Sequence, residues 1–239
     1  MGMALDFAAL LREARDARRA GAVSAVEALA SAPARAPPTQ MPLQLDWTPS
    51  TARRRSMRSV EPVHPLLPSV RLVREWIDER EQDDLLSCID RTGSWQSLRG
   101  RRVQCLGGQP GKQREPLPRW AISLLNLVSE RCDGEAFNHV LVNEYLPGNG
   151  IEPHRDGPLY QPLVLILSLG SECSFSFYSN DLIRREIFTL RLPPRSLLLF
   201  SDEAYESCLH GCTLEDSAET RRVSLTIRRV LSFGEHEHD

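Results

Sequence analysis

From residue 139 onward the chain is a succession of short apolar runs separated by Pro, Gly, Asn and Asp. Runs of this length, bounded by turn-forming residues, are typical of β-strands. We predict strands over residues 139–146, 163–169, 173–178, 186–192, 196–200, 205–210 and 222–230. So many short strands in one stretch favour a sandwich, a barrel or a jelly roll.

Two segments before these strands have helical periodicity. Asp78 is suited to cap a helix that continues to about Ile89. Pro118 is suited to the first turn of a second helix, which would end near Cys132. Residues 70–76 predict one more strand. The predicted fold class is therefore mainly β with flanking helices.

The two ends of the chain lack the pattern of a packed domain. Residues 5–20 carry apolar side chains at helical spacing and arginines on the opposite face, which predicts an amphipathic helix able to bind a protein partner. Residues 21–60 are rich in Ala, Pro, Ser and Arg, as disordered segments are. We predict a basic, largely disordered arm over residues 1–60, a folded domain over 61–231 and an acidic, histidine-containing tail over 232–239.

The cysteine content, the lengths of the apolar runs and the net charge indicate the cellular compartment and the kinds of partner. The six cysteines form no CxxC pair, so we expect free thiols in a reducing compartment, the cytoplasm and/or the nucleus. Cys208 and Cys212 flank His210, but no second thiol pair completes a tetrahedral zinc site. No apolar run approaches the roughly 20 residues that span a bilayer, so we expect no membrane partner. The net charge of −3 does not indicate nucleic-acid binding, although nine arginines against five acids in residues 1–60 could help to hold a polyanion.

A histidine and a carboxylate stand two residues apart in the segment 143–157. In an extended chain, His154 and Asp156 point to the same face and can bind one metal ion. His210 ends a predicted strand and can complete a set of two histidines and one carboxylate. That set leaves coordination positions open, as Fe(II) oxygen chemistry requires. Taken singly, a His-x-Asp pair often occurs by chance, and a strand-end histidine is more often hydrogen-bonded than metal-bound.

A strand with two arginines on one face follows near the end of the predicted domain. Between Arg222 and Arg228, apolar residues face one side, and the arginines face the other with small hydroxyl residues between them. Guanidinium groups bind carboxylates through paired, charge-assisted hydrogen bonds, so this face suits a dicarboxylate such as 2-oxoglutarate. A solvated strand face is the alternative for this segment alone. Asn143 and Tyr145 share a face on another strand and can donate hydrogen bonds to the same ligand.

With these motifs in this order, the chain resembles the AlkB family of Fe(II)/2-oxoglutarate dioxygenases, and within it the sixth group of eukaryotic homologues. The likeness covers roughly residues 65–231. It is carried by Asn143-x-Tyr145, Pro147-Gly148-x-Gly150, His154-x-Asp156, His210 and Arg222-x5-Arg228. The resemblance implies a double-stranded β-helix, or jelly roll, that binds Fe(II), 2-oxoglutarate and O2.

The resemblance also implies roles for single residues. The iron ligands would be His154, Asp156 and His210. Arg222 would pair with the distal carboxylate of 2-oxoglutarate with help from Tyr145. Asn143 and Arg228 would lie near the cosubstrate, with Arg228 toward its metal-chelating end. The implied activity is oxidation of a methyl group on nitrogen, which releases formaldehyde.

The substrate is less clearly indicated. Family members that repair alkylated bases carry a carboxylate two residues after the aspartate ligand, where this chain has Pro158. Residues 95–108 fall where the family has its nucleotide-recognition lid, and we expect substrate contacts from Trp95, Arg99, Arg101 and Arg102. Trp95 is equally suited to a hydrophobic core. Demethylation of RNA or DNA is the favoured function; an oxygenase with a protein substrate and a non-catalytic scaffold are the alternatives.

Overall fold

A computed structural model of the chain describes residues 46–49, 56–93, 95–108 and 110–231. The predicted amphipathic helix at residues 5–20, most of the predicted arm and the predicted tail lie outside the described residues. Within the described part, no helix is both long enough and apolar enough to cross a membrane.

Two antiparallel sheets contain the strands of the described part. These strands are β1 (Arg71–Val73), β2 (Gln96–Leu98), β3 (Arg101–Leu106), β4 (His139–Tyr145), β5 (Gly150–His154), β6 (Leu163–Gly170), β7 (Cys173–Ser179), β8 (Glu186–Leu192), β9 (Leu197–Ser201), β10 (Cys208–Thr213) and β11 (Arg222–Arg228). The larger sheet has the order β1-β9-β6-β11-β4-β3-β2, and the smaller has the order β5-β10-β7-β8. Strands that are distant in sequence, such as β4 and β11, are therefore neighbours.

Helices cover one face of the larger sheet. They are α1 (Glu79–Arg91) and α2 (Arg119–Arg131). A short helix, α3 (Asp202–Glu206), contributes Ala204 to the cluster between the two sheets, and a 3-10 turn is formed by Met57–Ser59. The Asp78 carboxylate accepts the Glu81 N–H at 2.8 Å, and the Glu81 carboxylate accepts the Asp78 N–H at 2.9 Å. This reciprocal cap satisfies backbone donors that the first turn of α1 would otherwise leave free. The predicted mainly β fold with flanking helices is confirmed.

Strand alternation divides the side chains of the larger sheet between two apolar clusters. On the outer face, Val142 and Leu225 are fully buried against Leu85 of α1 and Leu124 of α2. The inner face points to the smaller sheet, and a second cluster joins the two sheets, with Phe200 contributed by the larger one. Polar residues on the inner face of β4 and β11 are therefore held between two sheets, where few water molecules compete for them.

The strand predicted over residues 205–210 is wrong in its first part. Tyr205 and Glu206 belong to α3, and the strand is Cys208–Thr213. Acidic residues occupy the first turn of α3, where they stabilise the positive end of the helix dipole. The other strands predicted from residue 139 onward occur within two residues of their predicted ends.

The domain boundary predicted at residue 61 lies too late in the chain. Trp47 and Met57 are each 1% exposed and belong to the cluster between the larger sheet and the helices. The Trp47 indole N–H donates to the Glu81 carbonyl oxygen at 3.1 Å. A segment rich in Pro, Ser and Arg therefore contains two core residues, because their apolar partners stand on elements far along the chain.

Candidate metal and cosubstrate site

Two histidines and one aspartate converge at one end of the smaller sheet. Strands β5 and β10 pair so that His154 stands opposite His210, with ring centroids 4.6 Å apart. Asp156 follows β5 by two residues, and one potential ligand atom from each of the three residues lies within 4.8 Å of the others. The structure thus brings together the three residues that the sequence predicts as metal ligands.

Burial keeps both histidines in the form that binds metal. It lowers the pKa of His210 to about 3, and it also lowers the pKa of His154. The Nδ1 atom of His154 is 2.9 Å from the Glu152 carbonyl oxygen. Because a carbonyl can only accept, Nδ1 carries the proton and Nε2 keeps a free lone pair. Neutral imidazoles with a free lone pair can coordinate a metal ion.

The Asp156 carboxylate is ionised and only partly satisfied by the protein. Burial by itself raises its pKa, but the positive groups around it, first among them the Arg228 guanidinium, lower it by more, so the pKa lies below its ordinary value. Arg228 forms an ion pair with Oδ1, whereas Oδ2 is buried without a hydrogen-bond partner among the described residues. An unsatisfied buried anion is costly. A metal cation at Oδ2 would remove that cost, and two imidazoles with one carboxylate suit Fe(II).

Arg222 lies on the inner face of β11 and is 1% exposed. It donates to the Ser168 hydroxyl at 3.1 Å and approaches the Cys212 sulfur at 3.8 Å. Its Nε is buried without a partner, and no carboxylate of the described residues pairs with it. A buried guanidinium without a carboxylate partner gains from an anion that offsets its loss of hydration. The pocket therefore fits a ligand that carries a carboxylate.

The neighbouring strand β4 supplies further polar groups to this pocket. Tyr145 stands opposite Arg222 in the β4–β11 register, with the guanidinium carbon 5.5 Å from its ring centroid. Asn143 is buried, and its Nδ2 lies 3.5 Å from the Thr226 hydroxyl. The four predicted cosubstrate residues, Asn143, Tyr145, Arg222 and Arg228, thus lie on one sheet face that ends at Asp156.

Residues 99–228, which contain the whole of this site, match the 2OG-Fe(II) oxygenase superfamily. The chain belongs to that superfamily. The oxygenase is 37% identical over 161 residues to "Probable RNA/DNA demethylase ALKBH6" of Danio rerio, an alignment that covers 60% of this chain and 69% of the relative. It is 32% identical over 127 residues to "Uncharacterized protein L905" of Acanthamoeba polyphaga mimivirus, which covers 48% of this chain and 59% of that protein.

The fold of the oxygenase also occurs among solved structures. It resembles the structure of OsALKBH1 with a TM-score of 0.54 at 17% identity, over 70% of this chain and 100% of that one. The predicted AlkB-like family and jelly-roll core are confirmed.

The superfamily uses Fe(II), 2-oxoglutarate and O2, which together supply the oxidation of a C–H bond. In this oxygenase His154, Asp156 and His210 would hold the iron. Arg222, with the Ser168 hydroxyl beside it, would bind the distal carboxylate of the cosubstrate. The protein would orient the metal and the cosubstrate, hold the cosubstrate by charge and shield both between the two sheets.

The substrate residues predicted on β2 and β3 do not share one face. Arg102 donates to the Glu144 carboxylate at 2.6 and 3.0 Å and lies 4.3 Å from the centroid of the Trp95 ring. Trp95 packs against the cluster between the sheet and the helices. The structure therefore does not bring Trp95 or Arg102 to the site, because alternation turns both to the outer face where Glu144 and the helices lie.

The other two predicted substrate residues lie closer to the site. Arg101 takes the inner face and interacts electrostatically with His154 and Tyr145. Arg99 is exposed in the turn between β2 and β3. The basic segment is thus divided between a structural ion pair on one face and a cation near the metal ligands on the other.

Tyr160 and His139 support the site but are not predicted from the sequence. The Arg228 guanidinium carbon lies 3.9 Å from the Tyr160 ring centroid, and the His139 and Tyr160 rings are 5.6 Å apart. His139 Nε2 is 3.3 Å from the Cys105 sulfur. The register pairs His139 with Arg228. Strand pairing reveals this cluster, whereas its members have no recognisable spacing in the sequence.

We expect Tyr160→Leu to weaken metal binding about tenfold, since residues that orient a metal ligand typically contribute that much. The ring holds Arg228, and Arg228 in turn holds Asp156. Anaerobic titration with Fe(II), without 2-oxoglutarate, measures the effect. Tyr160→Phe keeps the ring and should bind as the unaltered protein does; an equal loss in both variants would contradict the role of the ring.

His139 makes stability depend on pH. Burial lowers its pKa from 6.5 to about 3, so the folded state stays neutral while the unfolded state binds a proton as pH falls. Its contribution is complete above about pH 6.5 and declines on acidification toward about pH 3, by at most about 1.4 kcal/mol per pH unit. His154 and His210 act in the same direction. We expect His139→Gln to reduce, but not abolish, the loss of unfolding free energy between about pH 7 and pH 5.

Urea unfolding with a chelator present measures this slope without a contribution from bound metal. If the unfolding free energy fell equally with pH in His139→Gln and in the unaltered protein, protonation of the buried His139 ring would not destabilise the fold, and the prediction would be wrong.

Proposed function

We propose that the oxygenase oxidises a methyl group on a base of RNA or DNA. The observation that carries the proposal is a set of basic side chains beside the metal ligands, which suits a phosphate backbone. Arg155 is exposed between two of the ligands, and Arg101 interacts with His154. The printed name of the Danio rerio relative, a probable RNA/DNA demethylase, supports the same substrate class.

A second basic segment supports this proposal. Arg114 is exposed, and it interacts electrostatically with His139 and Tyr160 of the cluster behind Arg228. In the same loop, a Cβ atom on Gly111 would contact Leu159, which follows Asp156 by three residues. Cations from two separate loops therefore border the approach to the metal ligands, as expected for a site that binds a polyanion.

The chemistry at the substrate follows from oxidation of a methyl carbon. Hydroxylation of a methyl group on nitrogen gives a hydroxymethyl group, and its carbon–nitrogen bond then breaks to release formaldehyde. The protein must place that carbon next to the metal position and keep bulk water away. The enclosed face between the two sheets meets both requirements.

The test is a panel of methylated RNA and DNA oligonucleotides incubated with Fe(II), 2-oxoglutarate and O2. We expect mass loss of one methyl group, with succinate and formaldehyde formed in equal amounts, and binding that weakens as salt rises. His210→Ala is the matched inactive control. Consumption of 2-oxoglutarate that no oligonucleotide stimulates, together with binding that salt does not change, would contradict a nucleic-acid substrate and favour a protein substrate.

We also propose that the protein acts in the cytoplasm and/or the nucleus, supported by six free cysteines within the described part. A protein partner of residues 5–20 stays a prediction, since those residues lie outside the described part. Removal of residues 1–44 tests it. The cut must stop before Trp47, because Trp47 belongs to the core. Loss of bound partners without loss of 2-oxoglutarate binding would support a docking role for the arm.

A further inference from the structure

Arg101 faces the metal ligands, and no ion pair joins it to another of the described residues. It begins β3, and alternation turns it away from Arg102 and Glu144. Its electrostatic interactions are with the metal ligand His154 and the cosubstrate residue Tyr145. Its Nε is buried without a hydrogen-bond partner among the described residues. A side chain of this kind is available to act on whatever enters the site.

The turn that precedes Arg101 is held against the strand that carries His154. Gly100 has φ of +73°, and a Cβ atom there would lie 3.2 Å from the carbonyl oxygen of Gly150. Gly150 is the first residue of β5, and His154 is the last. A side chain at position 100 would be strained and would push the turn from β5. The close approach of the two backbones therefore fixes Arg101 relative to the metal ligands.

Charges near the ligands are largely positive once ion pairs are considered. Arg228 acts on His154, and Arg155 acts on Tyr205. The carboxylate that acts on both is Asp156, which pairs with Arg228 through Oδ1 and would bind the metal through Oδ2. A cationic substrate would therefore gain little attraction from Asp156.

The groups that follow Asp156 in the chain are uncharged. Pro158 stands two residues after Asp156. The Tyr205 hydroxyl donates to the Gly157 carbonyl oxygen at 3.2 Å. Burial raises the pKa of Tyr205, so the hydroxyl is neutral. A base that enters beside these residues meets a hydroxyl and backbone groups, which recognise polar but uncharged edges.

We propose that the oxygenase acts on methyl groups of uncharged bases, and that Arg101 selects against positively charged ones. This rests on the nucleic-acid function proposed above and narrows its substrate class. Methylation at N3 of cytosine or N1 of adenine makes the base cationic at neutral pH, and two like charges in a partly buried site repel. Arg101 also suits contact with a backbone phosphate. The Arg101 side chain would thus favour binding of the nucleic-acid backbone and disfavour binding of a cationic base.

Two pairs of single-stranded RNA oligonucleotides separate charge from position. N3-methyluracil and N3-methylcytosine carry the methyl group on the same ring nitrogen, but only the second is cationic. N6-methyladenine and N1-methyladenine are isomers, and only the second is cationic. In any pair that is converted, we expect kcat/KM for the neutral member to exceed that for the cationic member by at least about tenfold. A tenfold ratio corresponds to a difference of about 1.4 kcal/mol between the two activation free energies.

Variants at Arg101 test its assigned role. Arg101→Glu should remove or reverse the preference, and Arg101→Lys should keep it because the charge is retained. Arg99→Gln, in the exposed turn, should change both members of a pair equally and leave their ratio unaltered. An unchanged ratio in Arg101→Glu would overturn the role of Arg101.

The unaltered protein gives results that separate this inference from the proposed function. Faster conversion of the cationic member would overturn the inference and leave the nucleic-acid function standing. Failure to convert any of the four strands, in protein that still binds 2-oxoglutarate, would contradict the nucleic-acid function, and the inference with it.

Discussion

His154→Ala yields an oxygenase that folds but no longer retains Fe(II), with metal affinity reduced at least about 100-fold, because even residues behind the ligands contribute 10–100-fold. His154 and His210 face each other across paired strands, and Asp156 offers Oδ2 to the same point. Removal of the His154 imidazole leaves only two protein ligands, whereas Fe(II) in this kind of site is held by three ligands on one face of an octahedron. Turnover should fall with metal occupancy.

Anaerobic Fe(II) titration, together with thermal unfolding, measures this outcome. The matched control is His64→Ala: the His64 ring stacks on Phe188 at 4.5 Å and is not part of the metal group. That variant should bind Fe(II) as the unaltered protein does. Since His154 is half-buried in its neutral form, its removal should cost little stability in metal-free protein. Retention of Fe(II) with ordinary affinity by His154→Ala would rule out the proposed ligand set.

Arg222→Met should raise the dissociation constant for 2-oxoglutarate about 100-fold, the equivalent of about 3 kcal/mol for a buried charge-assisted contact. The same change should leave the protein without ligand as stable as before, or more stable. The reason is that Arg222 is 1% exposed and its Nε has no hydrogen-bond partner among the described residues. An apolar side chain of similar length avoids the cost of burying that charge.

Thermal unfolding with and without 2-oxoglutarate, in the presence of Fe(II) under anaerobic conditions, separates the two effects. The unaltered protein should be stabilised by the ligand through mass action, and Arg222→Met should not. Arg221→Gln is the matched control, because Arg221 is the preceding residue and pairs with Glu144 and Asp90 at 2.5 and 2.6 Å on the outer face. It should lose stability and keep 2-oxoglutarate affinity. A loss of 2-oxoglutarate affinity in Arg221→Gln, with unaltered affinity in Arg222→Met, would contradict the assignment of Arg222 to the inner face and Arg221 to the outer face.

The candidate site could be predicted because its residues repeat at strand periodicity. Arg222 and Arg228 are six residues apart, Asn143 and Tyr145 are two apart, and an even spacing keeps side chains on one face of a strand. The core of the oxygenase could be predicted for the same reason. Tyr205 was misplaced because a single helical turn has too few residues to show a period.

The sequence by itself determined the strand-rich fold, the donor types at the metal and cosubstrate positions, and the face of β11 that carries the arginines, because these depend on local alternation. Only the tertiary structure decided which strands are neighbours. It placed His154 opposite His210, packed Tyr160 beneath Arg228 and drew Trp47 into the core. It also turned Arg102 toward Glu144 and Arg101 toward the metal ligands. Alternation along a strand places two adjacent arginines on opposite faces of the sheet. Which of the two faces points to the interior depends on the surfaces that the helices and the second sheet cover.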